Sequence, residues 1–219
     1  YHGVQYISPK SKIFTKYIKK LYKNKILKTW DGNHLDFTFD KKTFSSKYIG
    51  KKANNDFIKY NLKNVKKSFS SLITKVSFNK YFWEITLKDK SKYQFKSLIL
   101  TCPFPQLKKL AKKYLDKKIL KLNVQMQPNI TVMIALKNQE SLPISSIKFN
   151  DDILAWAANE NSKNRFKSNI SLWTLQATLM WSKKTINKYK IDKSIMNQLI
   201  TRFIKLTGFE KNKIIFKRI

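Results

Sequence analysis

Apolar residues fall at Ile13, Phe14, Tyr17, Ile18 and Leu21, three and four positions apart. That spacing lays one face of an α-helix against a core. Ser8 can cap this helix, and Pro9 suits its first turn. Residues 31–47 are polar and loop-like, with a short strand expected at 35–39, and residues 55–62 suit a short helix. Three strands are predicted next, at 72–78, 82–87 and 93–101. Trp83, Ile85 and Leu87 alternate as a half-buried face requires, and Asp89-Lys90-Ser91 makes a turn. The third strand ends in Leu98-Ile99-Leu100, a run that suits burial on both faces.

Pro103-Phe104-Pro105 breaks the sheet. A helix follows with Leu107, Leu110, Ala111, Tyr114 and Leu115 on one side. Further strands are expected at 130–136, 152–158 and 172–180. Asp192 then opens a long helix whose core face carries Ile195, Met196, Leu199, Ile200, Phe203 and Ile204, and Gly208 suits its C-terminal cap. A last strand starts at Ile214. Helices and strands in this order predict a mixed α/β (α+β) architecture.

Composition changes this picture in two ways. With 42% apolar residues, the 219-residue chain can bury a sizeable core in one large or two small domains. The net charge of +33 points on its face to a polyanion. Only Arg165, Arg202 and Arg218 are arginines, however, and the lysines are spread along the chain. Abundant Lys, Asn, Ile, Phe and Tyr are what an AT-rich coding sequence writes, and a dedicated phosphate reader favours the bidentate fork of Arg. Cys102 is the single cysteine, so an internal disulfide and a cysteine metal cluster are both excluded. No apolar run approaches the roughly 20 residues of a membrane span. No signal peptide is visible, and a cytoplasmic location is expected. The chain opens on Tyr1 and stops at Ile219 within an apolar-rich run, so it reads as an internal fragment.

Ordinary catalytic constellations are absent. There are two histidines, His2 and His34, and four glycines, Gly3, Gly32, Gly50 and Gly208. They make no Gly-x-Gly-x-x-Gly, no P-loop, no Gly-x-Ser-x-Gly elbow and no His-Glu-x-x-His.

Five local patterns stand in order along the chain: His2-Gly3-Val4-Gln5-Tyr6, followed by a helix and Trp30; Tyr48-Ile49-Gly50, followed by Asn55-Asp56-Phe57; Leu98-Ile99-Leu100-Thr101-Cys102-Pro103-Phe104-Pro105-Gln106; Leu154-Ala155-Trp156, followed by Asn161-Ser162-Lys163 and Arg165; and Trp173 through Ala177 to Trp181-Ser182. Together they resemble the renalase-like, FAD/NAD(P)-dependent amine oxidase family of bacteria, whose members carry an N-terminal Gly-rich dinucleotide fingerprint ahead of the first of these patterns. The family's usual patterns are His-Gly-Ala-Gln-Tyr, Tyr-Val-Gly with a later Gly-Met, Pro-x-Pro-Gln, Ser-Lys-Pro-Gly-Arg, and Trp-x-x-x-Ala with a later Trp-Ser. This chain departs from them at Val4, at Ala53-Asn54 in place of Gly-Met, and at Asn164-Arg165, which lacks the Pro-Gly.

The resemblance implies a partial flavin amine oxidase-like fold. Residues 1–105 would be a partial FAD-binding domain with an inserted segment and the β-meander. Residues 106–212 would be a substrate domain, and residues 213–219 the start of a strand returning to the FAD domain. The cofactor implied is FAD. The segment His2, Gly3, Gln5 and Tyr6 would lie near the flavin ring, Ile73 near the adenine, and Thr101, Pro103, Pro105 and Gln106 at the return crossing between domains. Trp156, Trp173 and Trp181 would wall the substrate site, with Lys163 and Arg165 holding an anion. For each group a purely structural role stands beside the functional one: helix-start turn, sheet residue, sheet-stopping prolines, core tryptophans, solvated loop charges. The implied activity is hydride transfer from an amine or a reduced nicotinamide-type substrate to flavin, a small-molecule reaction without a nucleic-acid partner. The alternatives are a non-enzymatic basic nucleic-acid-binding module and a degenerate, inactive family member.

Overall fold

The computed structural model of the chain describes residues 4–38, 46–137 and 142–219. These form two compact units. The first comprises the described residues up to Asn64 together with those from Pro128 to Ile219, and the second is Val65–Gln127.

The first unit opens with α1 (Lys12–Lys23), capped by Ser11, whose hydroxyl accepts from the Phe14 amide at 3.2 Å. The cap expected at Ser8 is therefore corrected. Ser8 lies just beyond a β-bridge between Ile7 and Tyr48, and Ser11 is the hydroxyl that reaches a free amide of the first turn. Then come β1 (Leu27–Thr29), β2 (His34–Asp36), β3 (Tyr48–Gly50) and α2 (Asp56–Asn61). β1 and β3 pair antiparallel, with Lys28 opposite Ile49 and Leu27 opposite Gly50. The strand expected at 35–39 is in part realised as β2, and Phe39 lies outside the described residues.

The second unit is the expected meander of β4 (Ile73–Phe78), β5 (Trp83–Leu87) and β6 (Lys92–Phe95), followed by α3 (Phe104–Ala111) and α4 (Lys117–Leu120). The Asp89 carboxylate accepts from the Ser91 amide at 3.0 Å and closes the β5–β6 turn. Two expectations fail here. β6 stops at Phe95, and Ile99 is 87% exposed instead of lying in a doubly buried strand. Among the described residues no strand pairs with this run, so its hydrophobicity alone cannot make it one. The helix expected to reach Leu115 ends at Ala111 and tightens into a 3₁₀ turn at Lys112–Tyr114.

The chain returns to the first unit with β7 (Thr131–Leu136), β8 (Ser146–Lys148), β9 (Leu154–Asn159), β10 (Ser171–Ala177), α5 (Leu179–Thr185), α6 (Lys193–Thr207) and β11 (Ile214–Arg218). Six strands form one sheet in the order β11-β7-β10-β9-β8-β2, antiparallel except for the β2–β8 pair. The single strand expected at 172–180 stops at Ala177. Thr178 then caps α5, its hydroxyl accepting from the Trp181 amide at 3.2 Å. α6 is as expected: Asp192 caps it, Gly208 closes it at φ 73°, and Ile195, Leu199, Ile200 and Phe203 are buried on the sheet. The main core lies between α6 and one face of the sheet, around Val132, Ile134, Leu136, Trp173 and Leu175. Among the described residues no helix is long and apolar enough to cross a membrane.

Candidate functional site

Strand parity decides which side chains meet. Gln176 stands opposite Trp156 and Thr174 opposite Ala158 across the β9–β10 pair, so these four share one face. Trp173, one residue out of phase, faces the other way. It is 1% exposed in the main core, with ring centroids 5.2 Å from Phe203 and 5.7 Å from Phe209. Trp181, on α5, packs against that same core. The three tryptophans of the sequence reading thus do not converge, and Trp156 alone reaches the face opposite α6.

On that face Trp156 meets Tyr6 and Trp30. The three rings form a triangle with centroids 6.0, 6.2 and 6.3 Å apart. Tilted and edge-on contacts of this kind suit aromatic quadrupoles. Trp30 and Ala158 are buried, with Ile49 beside them. The Trp30 indole donates to the Ser162 hydroxyl at 2.9 Å, and Ser162 donates to the Asn159 carbonyl at 2.7 Å. Beside the triangle, Val4, Gln5, Tyr6, Trp156 and Gln176 line a cavity of about 240 Å³.

A buried charge supports this cavity. Lys163, with its side chain 1% exposed, donates to both carboxylate oxygens of Glu160 at 2.9 Å and to Gln5 Oε1 at 2.5 Å. Its Nζ stands 4.8 Å from the Trp30 ring centroid, a cation–π contact. Thr174 donates to Glu160 Oε1 at 2.8 Å. Burial pushes the Lys163 ammonium below its ordinary value, and the Glu160 carboxylate draws it partly back up. An ammonium only donates, so the Gln5 atom it holds is the carbonyl oxygen, and the orientation of that carboxamide is fixed.

His34 sits edge-on to Trp30, centroids 4.8 Å apart. Its Nε2 lies 3.0 Å from the Trp30 carbonyl, which can only accept, so Nε2 carries the proton and Nδ1 accepts from the Ser146 hydroxyl at 2.7 Å. Burial holds the His34 pKa below its usual value. Lys47 places its Nζ 5.7 Å from the Tyr6 centroid, and burial lowers its pKa also.

The other expected positions stand as follows. Arg165 donates through Nε to the Gly50 carbonyl at 3.2 Å and through Nη2 to Asn54 Oδ1. Asn54 in turn donates to the carbonyls of Val4 and Gln5. Ile73 is half-buried in β4, paired with Leu87. Thr101, Pro103, Pro105 and Gln106 are exposed, with Pro103 in the N-cap position of α3 and Pro105 in its first turn. Those four and Ile73 belong to the second unit. His2 and Gly3 lie outside the described residues. Sequence reasoning missed Glu160, Thr174 and Gln176. The Glu160-x-x-Lys163 spacing was a signal for the first, whereas the other two depend on strand register. Among the described residues no cluster of three or more His, Cys, Asp or Glu side chains suits a metal ion, and Cys102 is a half-buried free thiol.

No family model and no curated protein matches the sequence. In structure the chain is similar to a protein described as a protoporphyrinogen oxidase from Exiguobacterium sp. 255-15. The TM-score is 0.56 at 12% identity, over 80% of this chain and 41% of that one. It is also similar to tetracycline destructase Tet(51), with a TM-score of 0.50 at 12% identity, over 92% of this chain and 52% of that one. The chain therefore spans about half the length of these proteins or less. The likeness is one of fold, and the fold here is mixed α/β with antiparallel and mixed sheets.

Proposed function

We propose that this chain is part of an FAD-dependent oxidoreductase whose cavity beside Tyr6 and Trp156 takes the planar ring that reacts with the flavin. The observation that carries this is the cavity itself: aromatic walls and two carboxamides, Gln176 and Gln5, the latter held in place by Lys163 of the buried Lys163–Glu160 pair. Such a lining suits a flat group with polar edges. The fold similarity supports the cofactor class.

The residues fit one ring system and not a whole dinucleotide. Among the described residues no glycine-rich turn leads into a helix as a pyrophosphate cradle would. When bound, FAD supplies the hydride acceptor. The protein's part is to orient and to exclude water. Lys163 fixes the Gln5 carboxamide, Trp156 and Tyr6 wall the cavity, and Trp30 with Ser162 braces them. In the same reading, the amides of Gln5 and Gln176 hold the reacting ring, Ile73 lies toward the adenine, and residues 101–106 form a crossing between an FAD domain and a substrate domain.

Of the two substrate types implied by the renalase-like, amine oxidase resemblance, a reduced nicotinamide-type ring fits better than an amine. Lys47, with its Nζ 5.7 Å from the Tyr6 centroid, brings positive charge beside the cavity while Glu160 offsets that of Lys163, which disfavours a cationic amine.

The test is the visible spectrum of the protein expressed from its complete open reading frame. A bound flavin that is reduced more slowly in Trp156→Ala supports the proposal. Protein that folds and carries no flavin refutes it. The 219-residue chain alone is expected to retain FAD weakly, because its sequence holds no Gly-x-Gly-x-x-Gly to cradle a pyrophosphate.

A further inference from the structure

The lysines are spread along the sequence, but the fold gathers five of them onto one face of α1. Successive residues of a helix stand about 100° apart. Lys12, Lys16, Lys19, Lys20 and Lys23 therefore project within an arc of about 100°, along about 16 Å of helix. All five are exposed. The opposite side is fixed in place: Ile18 and Leu21 are buried with Leu27, and Tyr17 packs against them.

Helix stability alone does not select this arrangement. Lys12–Lys16, Lys16–Lys20 and Lys19–Lys23 are like charges four residues apart, which repel across adjacent turns. The first turn, where the helix dipole favours an acid, holds none and begins with Lys12. The sequence has eight lysines and no acidic residue before Asp31. The lysine side chains of α1, with that of Lys10, leave between them a hollow of about 670 Å³. At the border of the same face Ile13 stands one turn before Lys16, and it is 86% exposed.

We propose that α1 docks this protein on an anionic lipid surface, with the helix axis in the plane of the membrane. The ammonium groups meet headgroup phosphates, their aliphatic stems lie along the lipid, and Ile13 enters the boundary with the acyl chains. A rigid convex face carrying one sign of charge suits a broad anionic plane. The helix is already held by its buried stripe, so binding carries no cost of folding it.

A nucleic acid fits this face less well. α1 has no arginine, and the lysine arc holds no aromatic side chain, so the bidentate forks and stacking platforms of a nucleic-acid reader are missing. An exposed isoleucine beside lysines is stabilised by lipid and gains little from a sugar–phosphate backbone. The surface shares no residue with the aromatic cavity and acts whether or not a flavin is bound there.

Sedimentation of the protein, expressed from its complete open reading frame, with phosphatidylcholine vesicles carrying about one-third phosphatidylglycerol tests it, with pure phosphatidylcholine as the comparison, at about 0.1 M salt. Binding to the anionic vesicles alone is expected. Lys16→Gln/Lys19→Gln should weaken it about 25-fold, roughly fivefold for each lysine, and Ile13→Ser about threefold or more. Lys183→Gln/Lys184→Gln removes two exposed charges from α5 and should change it by no more than about twofold. All these side chains are exposed, so the circular dichroism of each variant should match that of the parent. Absence of binding to the anionic vesicles overturns the proposal, and so does equal weakening by the α5 pair, which would mean a diffuse field. Tighter binding to duplex DNA than to vesicles, lost in Lys16→Gln/Lys19→Gln and unchanged in Ile13→Ser, would make the partner a nucleic acid and also overturn it.

Discussion

Replacing Lys163 by Met removes one ammonium and keeps most of the side-chain volume. In the native fold that ammonium serves both Glu160 oxygens, Gln5 Oε1 and the Trp30 ring. Removing one partner of a buried ion pair costs about 3–5 kcal/mol. The Glu160 side chain retains 16% exposure and its Thr174 contact, so water and that hydroxyl offset part of the loss. We expect Lys163→Met to destabilise the chain by about 2–4 kcal/mol, lowering the thermal midpoint by roughly 4–16 °C. Glu160→Gln leaves an unpaired ammonium on a side chain that is 1% exposed and should cost about as much or more. Its effect has a pH signature. The Lys163 pKa lies below the ordinary value of 10.5, so the unfolded chain binds more protons across that window and stability rises with pH toward 10.5. Loss of the Glu160 charge widens the window, so the deficit of Glu160→Gln shrinks as pH is raised. The double variant leaves no buried charge and should return to within about 1–2 kcal/mol of the parent. Urea unfolding followed by tryptophan fluorescence measures all three. A cost for Lys163→Met below about 0.5 kcal/mol, or strictly additive single variants, would refute the buried-pair reasoning.

Three other outcomes are expected. The His34 pKa is held below 6.5, so its contribution to stability is complete above 6.5 and is lost as pH falls through 6.5 toward the lowered value; thermal melts across that range should show the loss, and His34→Gln should flatten it. Leu199→Ala empties a fully buried position between α6 and the sheet and should cost about 2–5 kcal/mol, read as a lower urea midpoint with an unchanged slope. Gly50→Ala forces a methyl group onto the Ala53 carbonyl and should lower the thermal midpoint, whereas Lys52→Ala next to it should leave that midpoint nearly unchanged; equal effects would discount the close approach.

Where local chemistry suffices, the sequence alone determined the structure. α6 was legible from cap to cap, because Asp192, the spacing of Ile195, Leu199 and Phe203, and Gly208 each act within a turn or two of chain. The β4–β5–β6 meander was legible for the same reason, its turn being closed by Asp89 and Ser91 two residues apart. The mixed α/β class followed from the order of such elements. The candidate site was legible only in part: Gln5, Tyr6, Trp156, Lys163 and Arg165 were named in advance, but not which of them meet.

Tertiary structure decided the rest. The β9–β10 register set Gln176 beside Trp156 and sent Trp173 into the core beneath α6, a separation that follows from alternation along the strand and is invisible until the strand is paired. Leu98-Ile99-Leu100 looked like a buried strand, but a strand exists only where a neighbour takes its backbone bonds. Lys163 read as either a loop charge or an anion holder. It is buried instead of solvated, because Gln5, 158 positions earlier, closes over it from a distant part of the chain, and it holds the Glu160 carboxylate. A lysine's environment is set by what the fold packs around it, and no property of its sequence neighbours carries that information.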